Sequence, residues 1–299
     1  MFINWGLLFL LGLIWSGIAI SVTAAKKAHC PIPLFYFCGS LAAIIPVAAG
    51  VFCTGGGDEF STAKLPAVLC LTAASLLNGT GQAILMSNLK NGGRALAYAI
   101  PQMAFILPFL WSVCFWHEHS VFLCWLGIFL IGGAILISTL GSENQFRGTQ
   151  LSPKRLGTAF ISMLFLGTSQ ICTITPFRFG QEERLSSSGG TLIILSVSAL
   201  FFGILSLRRM DRKRIPVKQS AGWGMVWGVF AALSYLLLFI LLKLFGRTGQ
   251  TGLVFPVACA IAIATYSAYS SIRLKERMQL RQIIGTAILI TGIFLVKLG

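Results

Sequence analysis

The sequence predicts an all-α polytopic membrane protein with ten transmembrane helices arranged as two inverted five-helix repeats. Three observations lead to this prediction. The 299 residues are 56% hydrophobic and only 10% charged, whereas soluble domains carry roughly 25% charged residues because they need a polar surface. Apolar runs long enough to cross about 30 Å of hydrocarbon follow one another with short connectors. The two halves of the chain also place Glu and Gly at matching positions near their ends.

Ten segments of the chain are apolar and long enough to be transmembrane helices. The first lacks a preceding basic region and is too long for the apolar core of a signal peptide, so we expect it to be retained as a helix. The predicted spans are 4–25, 33–53, 65–88, 94–116, 121–140, 156–178, 189–207, 221–245, 251–272 and 280–298.

The last two spans of each half carry the same pattern. Glu118 follows the fourth span and Gly127 lies in the fifth, while Glu276 follows the ninth span and Gly285 lies in the tenth. In both halves the glycine therefore comes nine residues after the glutamate. A repeat of five spans is inverted in the membrane because five is an odd number, and inverted repeats are typical of secondary transporters.

The first span contains Trp15-Ser16-Gly17, and in each half a Glu precedes a Gly-containing helix. These features resemble the drug/metabolite transporter superfamily, in which EamA-type members and the related sugar-uptake proteins are closest in layout. The segment from Lys275 to Val296 gives the best local match. The resemblance implies one EamA-like repeat in residues 1–145 and a second in residues 146–299. The acidic second connector, which contains Asp58 and Glu59, differs from the basic connector of many members.

Lys and Arg are distributed unequally among the connectors. The odd-numbered connectors hold 17 of them, and the even-numbered connectors with the C-terminus hold 6. The positive-inside rule then places both termini outside the cytoplasm, whereas the superfamily usually keeps its termini inside, so both orientations stay open.

The net charge of +15 forms no basic patch with interleaved aromatic residues, so we expect no nucleic-acid partner. We expect the protein to reside in the lipid bilayer of the bacterial cytoplasmic (inner) membrane and to bind a small-molecule substrate. We expect it to be a monomer or a weak homodimer.

The predicted spans contain almost no ionic side chains. All eight acidic residues fall in connectors or at helix ends. We expect Glu118 and Glu276 each to pair there with neighbours such as Arg273, Arg277 or His119. Ionic side chains inside a bilayer are expensive and usually functional, so a central site has to bind through neutral polar groups and aromatic rings. Uncharged or zwitterionic solutes fit such a site.

The sequence predicts no metal, no cofactor and no catalytic residue. The eight cysteines lack metal-ligand spacing, and no GxxxxGK[ST] loop for nucleotide binding is present. Transport is then expected to use an exchanged solute or a cation gradient, with the two repeats rocking around a site lined by the first, third, fourth, sixth, eighth and ninth spans. The alternatives are a channel or lipid-moving protein and, less favoured, a polytopic membrane enzyme.

Nine side chains are candidates for substrate binding because they are amides or aromatic rings inside spans. In the third span, Asn78-Gly79-Thr80-Gly81-Gln82 has two glycines that we expect to weaken the helix and free backbone groups for a ligand. The alternative for this segment is interhelical hydrogen bonding with close glycine packing. For the aromatic rings the alternatives are stacking on a substrate and packing. The candidates are Trp15, Asn78, Gln82, Tyr98, Gln102, Trp111, Gln170, Tyr235 and Tyr266.

Overall fold

A computed structural model describes residues 2–53, 65–90, 100–140, 153–178, 186–209, 217–273 and 279–299. Within these ranges the regular secondary structure is helical throughout. The α-helices there are α1 (Phe2–Lys27), α2 (Ile32–Cys53), α3 (Leu65–Lys90), α4 (Ile106–Trp116), α5 (Phe122–Leu140), α6 (Pro153–Arg178), α7 (Ser187–Arg209), α8 (Val217–Gly246), α9 (Val254–Arg273) and α10 (Leu280–Leu298). Short 3-10 segments, Met103–Phe105 and Thr251–Leu253, precede α4 and α9.

Eight of the described helices are long and apolar enough to cross a membrane. Two further apolar helices, Ile100–Trp116 and Phe122–Ser138, are shorter. Large apolar side chains such as Phe52 and Phe129 are mostly exposed on the helix surfaces, which is favourable where lipid rather than water is the solvent. The prediction of an all-helical, multi-pass integral membrane protein is confirmed for the described residues.

The helices form two compact units that do not coincide with the two halves of the sequence. Unit 1 comprises Met1–Gly79 and Cys172–Gly246, and unit 2 comprises Thr80–Ile171 and Arg247–Gly299. Each unit therefore draws helices from both halves, and α3 and α6 contribute to both units.

In unit 1, α2 packs against α8 through glycines. A Cβ at Gly224 would lie 2.9 Å from the carbonyl oxygen of Phe35, and a Cβ at Gly228 would collide with the carbonyl oxygen of Gly39. The pair Gly224 and Gly228 thus lets two backbones approach within one unit, as expected for small residues in a membrane helix. Tyr36 extends this contact, because its ring stacks on Phe202 and meets Trp227 edge-on.

Unit 1 also joins α2 to α7 through two serines. The hydroxyl of Ser40 donates a hydrogen bond to the hydroxyl of Ser198 at 3.2 Å, and the two residues are 158 positions apart in the chain. This bond links α2, the second helix of the first half of the chain, to α7, the second helix of the second half.

In unit 2, α5 and α10 pack antiparallel. Gly299 at the end of α10 lies against Cys124 near the start of α5, whereas Gly285 near the start of α10 lies against Ser138 near the end of α5. The buried residues of α10 are Gly285, Leu289, Gly292 and Val296. Each lies 158 positions after a residue of α5, namely Gly127, Ile131, Ala134 and Ser138.

The contacts between α5 and α10 are reciprocal under this offset. A Cβ at Gly127 would lie 2.6 Å from both the carbonyl oxygen of Gly292 and the side chain of Val296. A Cβ at Gly285 would lie 2.9 Å from the carbonyl oxygen of Ala134 and would collide with the Ser138 hydroxyl. The same offset of 158 therefore relates the two surfaces here and the two serines of unit 1.

Candidate functional site

Three helices of unit 2 approach closely at one level, and two glycines permit this approach. On α3, a Cβ at Gly81 would lie 2.8 Å from Leu166 of α6, and the hydroxyl of Ser162 donates a hydrogen bond to the Gly81 carbonyl at 2.9 Å. On α6, a Cβ at Gly167 would lie 2.9 Å from the carbonyl oxygen of Ala104, just before α4. The backbones of α3, α6 and the segment leading into α4 thus meet around Gly81 and Gly167.

The three candidate glutamines lie within one helical turn of the level of Gly81 and Gly167. Gln82 follows Gly81, Gln102 precedes Ala104 by two residues, and Gln170 follows Gly167 by three. All three side chains are half-buried. Within the described residues, none of the three side-chain amides has a hydrogen-bond partner. Unpaired amides are unfavourable in hydrocarbon, so these positions suit polar groups that face a ligand or water.

The segment from Asn78 to Gln82 does not interrupt α3, which is helical from Leu65 to Lys90. Our expectation that its glycines free backbone groups for a ligand is therefore wrong. A Cβ at Gly79 would lie 2.7 Å from the ring of Phe201, and Gly81 packs on Leu166. The glycines allow close packing of helices. The amide groups of this segment are the side chains of Asn78 and Gln82.

The other candidates do not all share this level. In unit 2, the ring of Trp111 stacks on Phe115 at 4.1 Å between centroids, and Tyr266 lies 6.4 Å from Tyr269. Unit 1 contains the remaining described candidates, which are Trp15, Asn78 and Tyr235. Tyr98 lies outside the described residues, as do Asp58, Glu59, Lys275, Glu276 and Arg277.

Glu118 is the one acidic residue in the described ranges, and it is 7% exposed. Its carboxylate accepts hydrogen bonds from the backbone N–H of Thr251 at 3.3 Å, from the Thr251 hydroxyl, and from the backbone N–H of Gly252 at 3.1 Å. These groups begin the 3-10 segment that leads into α9, where a helix N-terminus favours a negative charge. Within the described residues this cap, and not His119 or Arg273, holds the carboxylate, while Arg277 lies outside them.

A small cavity adjoins the Glu118 cap, and its polar lining includes Ser112, His119, Ser120 and Gln250. The structure explains why the sequence alone did not identify Thr251 as the partner. Thr251 is 133 residues from Glu118, and the bond depends on the packing of α4 beside the segment that precedes α9. All three donors belong to Thr251 and Gly252, at the start of one helical segment, so Glu118 acts here as a helix cap.

Ionic side chains avoid the middle of the described helices. Every described Lys and Arg within a helix lies within three residues of a helix end, as with Lys154 and Arg281 at starts and Lys243 and Lys297 at ends. In the described part of the chain, no three His, Cys, Asp or Glu residues are close enough to hold a metal ion. The polar groups available at membrane depth are therefore amides, hydroxyls and ring N–H or O–H groups.

Ser40 and Ser198 were not among the predicted residues, although a signal for them exists. The offset that relates Gly127 to Gly285 in the sequence also relates these serines. The offset alone marks the two serines as equivalent positions and does not predict their contact, because the equivalent residues Gly127 and Gly285 pack against other neighbours.

Neither protein-family models nor curated protein sequences give a match to this chain. Solved structures do share its fold. One of them, described only as "Crystal structure of protein", aligns with 98% of this chain and 97% of its own length, with a TM-score of 0.76 and 15% sequence identity. At this identity the similarity is one of fold.

Proposed function

We propose that this protein is a secondary transporter of the drug/metabolite type, which moves a small uncharged or zwitterionic solute across the bacterial cytoplasmic membrane by alternating access. The observation that carries the proposal is the common offset of 158 residues in two separate places. It relates Ser40 to Ser198 between α2 and α7, and it relates the buried face of α5 to that of α10.

This offset supports an inverted repeat of five helices. Two copies of a repeat that face each other across a two-fold axis make reciprocal contacts, in which residue i meets j and the image of j meets the image of i. The contacts of Gly127 and Gly285 have this form. The antiparallel packing of α5 and α10 is what inversion of the second copy requires. Inverted repeats allow a transporter to open alternately to the two sides of the membrane.

The polar groups of the described helices support a neutral or zwitterionic solute. The three unpaired glutamines of unit 2 offer both donors and acceptors, while Glu118 is already held by three donors at the start of α9. A buried carboxylate available for exchange of a proton against a cationic solute is absent from the described helices. Coupling to an exchanged solute or to a sodium gradient agrees with this composition.

Counterflow in proteoliposomes tests the proposal. Purified protein is reconstituted, the vesicles are loaded with unlabelled solute, and uptake of radiolabelled D-glucose, D-ribose, L-alanine or uridine is followed. A transporter gives saturable uptake of at least one of these solutes, accelerated by the same solute inside. Flux that rises linearly with concentration and shows no acceleration would instead indicate a channel. The absence of any protein-dependent flux contradicts transport of this solute class.

A further inference from the structure

We propose that Gln170 selects a neutral, polyhydroxylated solute by accepting a hydrogen bond from one of its hydroxyl groups. This inference rests on the proposed function and assigns a substrate class to it. It starts from Gln170 on α6, one turn beyond Gly167, with Gln82 and Gln102 near the same level of unit 2.

Gln170 presents a buried acceptor without a donor. Its Oε1 atom is buried and receives no hydrogen bond within the described residues. Five other buried side-chain atoms of the described chain also lack a partner, and they belong to Ser16, Asn88, Ser120, Ser220 and Trp227. The serine hydroxyls can both donate and accept, and the nitrogens of Asn88 and Trp227 only donate. Among these six described atoms, Gln170 Oε1 is therefore the one that carries no proton of its own, so a donor has to come to it.

The membrane environment strengthens this requirement. An acceptor buried in a medium of low dielectric is unfavourable without a donor, and a hydrogen bond formed there is stronger than in water. A hydroxyl group also satisfies this position if the amide turns over, because a hydroxyl pairs equally with an amide oxygen and an amide NH₂ group. A ligand hydroxyl is thus the group that Gln170 recognises in either orientation.

The positions of the ionic side chains along the described helices favour a neutral ligand at the depth of Gln170. Ionic side chains of the described helices lie within three residues of helix ends, so these helices offer no counter-ion to a charged ligand group at this depth. Gln82 and Gln102 add two further unpaired amides within a turn of the same level. A solute with several hydroxyl groups brings a donor to Gln170 and keeps others for neighbouring polar groups, whereas an apolar solute leaves Gln170 Oε1 without a donor.

Ligand-induced thermal shifts test this assignment in the full-length protein in detergent. The probes are D-glucose, D-ribose and D-mannitol, together with 1,2,3,4,6-penta-O-methyl-D-glucose, which keeps the ring and its acceptors but has no donor. We expect at least one polyol to raise the melting temperature and the methylated sugar to leave it unchanged. Gln170→Leu should unfold at the same or a higher temperature without ligand and should bind that polyol at least tenfold more weakly.

Two further variants keep the test informative. Gln170→Met replaces Gln170→Leu if the latter does not fold, since Met has nearly the length of Gln. Ser220→Ala removes another unpaired buried polar atom, in unit 1, and should leave polyol binding within twofold of the wild type. The inference is overturned if no polyol stabilises the wild-type protein or if Gln170→Leu binds as tightly as the wild type. Counterflow of L-alanine with no polyol binding would overturn this inference and leave the transporter proposal standing.

Discussion

The carboxylate of Glu118 accepts a hydrogen bond from the backbone N–H of Gly252 at 3.1 Å, so the connector between α4 and α5 caps the start of the segment that forms α9. The same carboxylate also holds both donors of Thr251. Glu118→Ala leaves these buried donors unpaired, and we expect it to lower the free energy of unfolding by about 2–4 kcal/mol. Glu118→Gln keeps an acceptor oxygen and should lose less.

Thermal unfolding of the purified variants measures this difference. The transport rate per folded molecule should stay near the wild-type value in Glu118→Gln, because the residue caps a helix. A normal melting temperature combined with altered solute preference would place Glu118 in the substrate site instead.

The reciprocal contact of α5 and α10 predicts matched effects of two substitutions. Gly127→Ala and Gly285→Ala each force a methyl group against the facing helix, and overpacking of this kind typically costs about 1–3 kcal/mol. Gly133→Ala on α5 is the control, because a Cβ there meets nothing within 4 Å. Melting temperatures should fall by similar amounts in the first two variants and stay unchanged or rise slightly in the third, because Ala has the higher helix propensity. A loss confined to one of the two would speak against the reciprocal packing.

The positions of the helices could be predicted from the sequence because apolar runs in a membrane protein are long and the connectors are polar. The relation between Gly127 and Gly285 was also visible there, since both follow a glutamate at the same distance. What could not be predicted from the sequence was that Gln82, Gln102 and Gln170 lie near one level of unit 2. That level depends on the close approach of α3 and α6 at Gly81 and on the contact of Gly167 with Ala104, and a single sequence contains no signal for such tertiary contacts.

The glycine-rich segment of α3 shows a second limit of sequence reasoning. Two glycines between amides indicate either a weakened helix or a packing surface, and both interpretations use the same residues. The structure distinguishes them because Phe201 and Leu166 occupy the space where side chains at Gly79 and Gly81 would lie. Bulky neighbours were not predictable, because they come from helices far away in the chain.

The glycines of α8 predict a contrast between two substitutions on one helix. Gly228→Ala places a methyl group against the carbonyl of Gly39, whereas a Cβ at Gly222 meets nothing within 4 Å. We expect Gly228→Ala to lower the melting temperature and Gly222→Ala to leave it unchanged or raise it slightly, because Ala has the higher helix propensity. The molecular mass in detergent, measured by light scattering, should be the same for both variants, because Gly228 packs within one unit. A change from dimer to monomer in Gly228→Ala would assign this glycine to a contact between subunits.

The contact between Ser40 and Ser198 predicts a cross-link that leaves transport intact. The two hydroxyl oxygens are 3.2 Å apart, so the double variant Ser40→Cys, Ser198→Cys should form a disulfide under mild oxidation. Mass spectrometry of the digested protein identifies the linked peptides, and each single variant serves as a control. Because both residues belong to unit 1, we expect the oxidised protein to retain its counterflow, and this result would exclude rocking of residues 1–145 against residues 146–299. Loss of counterflow that dithiothreitol restores would show that α2 and α7 move apart during transport.

Substitution of two polar residues of α3 by alanine should affect different properties, the transport rate at one position and the melting temperature at the other. The amide of Gln82 has no hydrogen-bond partner within the described residues, whereas Asn88 accepts a hydrogen bond from the hydroxyl of Thr158 at 2.9 Å. We expect Gln82→Ala to reduce counterflow at least tenfold at an unchanged melting temperature, since a ligand contact is lost and no internal one. Asn88→Ala removes an internal contact, so it should lower the melting temperature and leave the rate per folded molecule near normal. Equal losses of rate and stability in Gln82→Ala would assign Gln82 to helix packing, because a residue that only holds α3 in place affects transport through the amount of folded protein.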